Sequence, residues 1–145
     1  MIDINKEIKE AMLAKDSVRL ASLRAIKTAF MMAETEKGAS DLTNEGQLKI
    51  IQKQVKQRKD AATIYQEQGR KDLVEDEMAQ LAVLESFLPN QMNEEEIENA
   101  VKDIIADLGV YSILDMGKVM GVASKQLSGQ ADGKVIAAKV RKLLA

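Results

Sequence analysis

The chain is predicted to be all-helical, on three observations. Leu, Ala, Glu, Lys, Met and Gln dominate its 145 residues, a single proline stands at Pro89, and apolar residues recur at helical rather than alternating spacing. With 46% apolar residues, the chain has enough to bury a core in one ordinary domain or two small ones.

Ile4, Ile8, Ala11 and Met12 repeat at helical spacing behind Asp3, giving a short first helix that Lys15 and Asp16 interrupt. Asp16 then caps SVRLASLRAIKTAFMMAETEK, whose apolar residues cover most of its circumference, so this second helix is expected to be central and buried, with Gly38 ending it and ASDLTN as the connecting loop. Thr43 or Asn44 opens a long third helix in which Leu48, Ile51, Val55, Ala62 and Tyr65 share a stripe, with Lys49, Lys53 and Lys56 opposite and Gly69 at its end. The fourth helix, within RKDLVEDEMAQLAVLESFLPNQ, turns Val74, Met78, Leu81 and Leu88 inward and is stopped by Pro89.

PNQMN reads as a short linker. Beyond it Asn93 and Glu96 have capping-box spacing at the start of EEEIENAVKDIIADLG, which Gly109 ends. Asp115 is placed to cap MGKVMGVASKQL, and Asp132 to cap GKVIAAKVRKLL. The expected architecture is a helical domain of about four helices over residues 1–90 and a three-helix domain over 91–145.

The glycine-bracketed stretch LSGQADGKVIAAKVRKLL, residues 127–144, looks at first like a phosphate cradle. A P-loop needs four residues between its first glycine and the Gly-Lys pair, followed by Ser or Thr; Gly129 and Gly133 are separated by three, and Val135 stands at the hydroxyl position. The stretch is better read as a helix-to-helix turn. Without cysteine or histidine, disulfides, thiolate chemistry, His-based catalysis and ordinary zinc sites are excluded. The acids Glu94, Glu95 and Glu96 are consecutive and so cannot share a helix face as metal ligands; they suit a helix N-terminus instead. No metal, cofactor or catalytic residue is expected. Apolar runs are too short for a membrane span, and MIDINKEIKE has charges where a secretory leader has its apolar centre, so a cytoplasmic location without membrane association is expected.

The net charge of −2 conceals segregation. Residues 116–145 hold six Lys or Arg against one acid, residues 47–71 seven against two, and residues 72–107 one against eleven. The middle two blocks are expected to neutralise each other as an antiparallel helix pair, with Arg58, Lys59 and Arg70 in salt bridges to the acidic fourth helix. The C-terminal block is more ordered. Lys118 and Lys125 lie seven apart and point one way from their helix, as do Lys134 and Arg141 from theirs, while Gly117, Gly121 and Ser124 form a ridge of small side chains. A solvated face with a close helix crossing is the plain reading, and contact with a polyanion is the alternative.

Six segments carry a resemblance over the whole chain: LRAIKTA at 23–29, VKQRKDA at 55–61, GRKDL at 69–73, ESFLPNQM at 85–92, DMGKVMG at 115–121 and GQADGKVIAAKVRKLL at 129–144. In their order and spacing they resemble the YqeY family, whose C-terminal part is similar to the tail domain of GatB, the tRNA-binding subunit of the glutamine-dependent tRNA amidotransferase. The resemblance implies a helical N-terminal domain joined to a three-helix tail. It also implies contact with tRNA or another structured RNA; the alternative read from the residues is a protein-interaction module in which the Gly117 and Gly121 ridge and nearby methionines receive a partner helix from an amidotransferase or synthetase, and DNA binding is not expected. Family naming points to a carbon-nitrogen ligase using glutamine as amido donor, yet it supplies no catalytic residue to transfer, so an accessory module is expected rather than an enzyme acting alone. The expected RNA-binding set is Lys118, Lys125, Lys134, Lys139, Arg141 and Lys142, with Gly117, Gly121 and Gly129 allowing close backbone approach. Two Phe, two Tyr and no Trp leave no evident stacking platform, which favours recognition of RNA by shape.

Overall fold

The computed structural model describes residues 1–36 and 42–145. Seven helices are formed by these residues: α1 (Ile4–Leu13), α2 (Ser17–Glu36), α3 (Asn44–Glu67), α4 (Lys71–Glu85), α5 (Glu94–Leu108), α6 (Met116–Gln126) and α7 (Gly133–Leu144). The described residues include no strand, so the chain is all-helical. It divides into two compact units, Met1–Leu88 and Pro89–Ala145.

Local capping sets most of the boundaries in the first unit. The Asp3 carboxylate accepts from Lys6 N at 3.2 Å, that of Asp16 from Arg19 N at 3.0 Å, and Thr43 Oγ1 from Gly46 N at 3.1 Å. Between α1 and α2 the chain turns through Lys15 at φ 55°, a left-handed conformation that the sequence reading did not foresee. Gly69 takes φ 71° between α3 and α4. The expected stop at Gly38, like most of the loop from Ala39 onward, lies outside the described residues.

Ala11, Leu23, Ile26, Phe30, Leu42, Ile51 and Leu84 form the core of this unit, with Ile4, Ile8, Val55 and Phe87 packed against it. The second helix is less central than its composition suggested. It buries Ser22, Leu23, Ile26 and Phe30 along one side, leaving Met31 and Met32 exposed. Nor does α4 turn Met78 inward: Met78 is half exposed, and the buried side carries Glu77, Leu81 and Leu84. The rotation brings Glu77 to Arg58 on α3, with Nη1 3.0 Å from Oε2. Charge pairing has overridden the apolar pattern here, because a carboxylate turned inward needs a cation. Lys59 reaches Glu85 at 3.9 Å, and Arg70 pairs with Asp72 at 3.0 Å, so the three expected ion pairs to the fourth helix are present.

In the second unit, Val101, Val119 and Val140 are fully enclosed, joined by Ile97, Ile104, Ala123, Leu127, Ile136 and Leu144. Each enclosed valine contributes about 1.5–3 kcal/mol of burial relative to exposure. The capping box at α5 is complete: Asn93 Oδ1 accepts from Glu96 N at 2.8 Å, and Asn93 N donates to Glu96 Oε1 at 3.1 Å. Gly109 ends that helix at φ 64°. At α6 the expected cap is displaced. Asp115 makes no side-chain cap; a 3-10 turn, Ile113–Asp115, leads into the helix, with Ser112 Oγ accepting from Leu114 N at 3.2 Å. Asp132 does cap α7, accepting from Lys134 N at 3.0 Å. The stretch read as a linker is tied to this unit, since Met92 N donates to Gln130 O at 3.0 Å and Gln91 Nε2 to Gly129 O at 2.6 Å.

Candidate nucleic-acid interface

The site begins with the two helices that follow the 3-10 turn. On α6, Val119 and Ala123 are buried, which commits the opposite side to solvent. Gly117, Lys118, Gly121 and Lys125 occupy that side and are exposed. A Cβ placed on Gly117 or on Gly121 would meet nothing within 4 Å. The ridge of small residues therefore serves no helix crossing among the described residues; it presents bare backbone to open space. Neither Lys118 nor Lys125 has an ion-pair partner among the described residues. Lys125, in the last turn of α6, also lies at the negative end of the helix dipole.

On α7 the cations divide. Lys139 Nζ lies 3.8 Å from Glu94 Oε2, and Lys142 Nζ donates to Glu98 Oε1 at 2.8 Å, so these two hold α7 against α5. The Lys142 hydrogen bond, aided by the charge of the ammonium, holds the Glu98 carboxyl below its ordinary range. Lys134 and Arg141 are exposed and have no acidic partner among the described residues. Lys134, Lys139 and Lys142 line one open groove of about 310 Å³ with Glu94, Val135 and Ala138, whereas Arg141 lies outside its lining.

Gly129 is buried, with φ 76°, and its carbonyl accepts from Gln91. It lies in the turn beyond α6, which ends at Gln126 with Leu127 as its C-cap, and its burial removes it from the residues available for close approach. The sequence reading overlooked an apolar neighbour of the lysine face. Tyr111 is 88% exposed and Leu114 90% exposed just ahead of α6. Lys118, Gly121 and Lys125 follow one another at steps of three and four, the spacing of a single helix side, whereas Leu114 lies in the 3-10 turn ahead of α6, where helical spacing gave no signal. Among the described residues no cluster of acids is placed to hold a metal ion, and no helix is long and apolar enough to cross a membrane.

Comparison with known proteins supplies a family. The family model for Yqey-like protein matches residues 2–144. Among curated relatives, "Altered inheritance of mitochondria protein 41, mitochondrial" of Pyrenophora tritici-repentis is 31% identical over 148 residues, covering 97% of this chain and 78% of the relative. The proteins of the same name from Kluyveromyces lactis and Clavispora lusitaniae are 27% and 28% identical, covering 95% and 84% of this chain and 72% and 70% of those relatives. These names overturn the expected cytoplasmic location, since they place the relatives in mitochondria.

Proposed function

The chain belongs to the YqeY-like family, and from that premise we propose that it is a non-catalytic accessory module whose C-terminal unit binds the backbone of tRNA or another structured RNA. One observation carries the reading. Lys118 and Lys125 stand exposed without acidic partners on the side of α6 where Gly117 and Gly121 open the backbone to its surroundings. Unpaired lysines contact phosphates without first breaking an ion pair, and bare glycine lets the sugar-phosphate chain come closer than a side chain would allow. Lys134 and Arg141 add two further unpaired cations on α7. Lys139 and Lys142 are in this reading principally structural, because each is already engaged by a glutamate of α5. Such a module would serve tRNA-dependent amidation chemistry by positioning RNA and not by reacting with it. Titration of the protein into labelled tRNA and a length-matched unstructured RNA tests the reading: preference for tRNA that weakens with salt supports it, and equal binding to both contradicts it.

A second reading is favoured by exposed Tyr111 and Leu114, which would seat an apolar partner helix from an amidotransferase or synthetase. Partner binding that is lost in Leu114→Asp and changes little with salt would favour this reading over RNA.

A further inference from the structure

We propose that a cleft at the junction of α2, α3 and α4 binds a small neutral ligand bearing a carboxamide or ureido group. The cleft encloses about 150 Å³, well below the size of a drug-like pocket, and lies wholly within the first unit. Ser22 from α2, Gln54, Gln57 and Arg58 from α3, and Gln80 from α4 give it polar walls, over an apolar base of Ala25 and Leu84.

Two observations point to an occupant. Ser22 is 4% exposed and its Oγ is buried with no hydrogen-bond partner. A buried hydroxyl in that condition is disfavoured unless something supplies the missing bond. Around that hydroxyl stand three carboxamides with no hydrogen bond from another described residue, Gln54 and Gln80 half-buried in the walls and Gln57 exposed at the rim, so each is free to turn toward a ligand in the cleft.

The charge balance selects the ligand class. Arg58 would attract an anion, but its charge is already met by Glu77, whose Oε2 lies 3.0 Å from Nη1. Glu77 Oε2 has the short charge contact yet no well-aligned donor, and the hydrogen bond from Arg58 goes to Oε1 at 3.3 Å. A ligand anion would be repelled by Glu77, and a ligand cation by Arg58, so neutrality is favoured. Glutamine side chains and a serine hydroxyl each donate and accept. A planar group with a donor beside an acceptor answers that set reciprocally, and the guanidinium donors not spent on Glu77 can reach its carbonyl oxygen.

The test is an NMR titration of the whole chain with propionamide, using propionate and propylammonium as charged controls of similar shape. Saturable shifts confined to amides around Ser22, Gln57 and Gln80, at least tenfold stronger for propionamide than for either control, are expected. The Ser22→Ala and Gln57→Leu variants, which keep a dispersed spectrum, should weaken propionamide binding severalfold. An absence of saturable shifts would mean that water alone fills the cleft, and would overturn the proposal. Equal response to all three probes, or binding unchanged in both variants, would overturn it as well. The outcome is independent of RNA binding by the second unit.

Discussion

Arg58 and Glu77 meet at 3.0 Å between α3 and α4, and the two are unequally buried: the arginine side chain keeps 31% of its exposure and the glutamate 11%. Removing either partner therefore has a different consequence. Loss of Arg58 strands a carboxylate in a poorly hydrated position, whereas loss of Glu77 leaves a guanidinium that water still reaches.

Arg58→Met is accordingly expected to destabilise the first unit by about 2–3 kcal/mol, and Glu77→Gln by about 1 kcal/mol. The double variant Arg58→Met/Glu77→Leu should recover most of the loss, since an apolar pair of similar volume replaces the charges. Urea denaturation of the three variants measures this; equal losses in the two single variants would contradict the burial argument.

The Lys142 pair gives a pH signature. Glu98 is held below its ordinary value in the folded chain, so its contribution to stability is present above the unfolded-state value and is lost as pH falls through the folded one. Carboxyl NMR titration should place Glu98 at a lower midpoint than an ordinary glutamate, and Lys142→Met should raise that midpoint. An unchanged Glu98 midpoint in the variant would remove Lys142 as the cause.

The helix caps were legible in the sequence because they are local. Asp3, Asp16, Thr43, Asn93 and Asp132 each bond a backbone N–H two or three residues ahead, so spacing alone locates them. The facing of α4 was not, because Glu77 turns inward on account of Arg58, nineteen residues earlier on another helix. Asp115 stands at the N-cap of α6 but makes no side-chain cap, because it is also the last residue of a 3-10 turn whose own cap is Ser112. In the candidate interface, the common face of Lys118 and Lys125 followed from seven-residue spacing, but the sequestration of Lys139 and Lys142 depends on where α5 lies, which periodicity within α7 does not encode. Gly129 could be read as part of a turn between helices but neither its burial nor the earlier end of α6 at Gln126 could.

Glycines of the two kinds should respond oppositely to alanine. Gly117→Ala and Gly121→Ala place a methyl in open space on an ordinary helix, and each should stabilise the second unit by about 0.5–1 kcal/mol. Gly109→Ala forces a side chain into φ 64° and should cost about 1 kcal/mol. Thermal unfolding distinguishes the signs; a loss of stability at Gly121 would mean that its face is not open. Gly121→Leu should fold normally yet bind tRNA more weakly than the wild type, because the larger side chain holds the phosphate chain away.

The capping box offers a control outside both sites. Asn93→Ala removes the side-chain acceptor for Glu96 N and is expected to cost about 1 kcal/mol in the second unit. Its tRNA affinity, measured where the variant remains folded, should match the wild type; a tenfold loss would mean that the start of α5 belongs to the interface.

The most direct test of the central claim compares unpaired with paired lysines. Affinity for labelled tRNA would be measured at two salt concentrations for wild type, Lys118→Glu/Lys125→Glu and Lys139→Gln/Lys142→Gln, with folding verified for each. The account predicts at least a tenfold loss and a shallower salt dependence in the first double variant, and less than a threefold loss in the second. Equal losses in the two variants, or no binding of tRNA by the wild type at low salt, would contradict it.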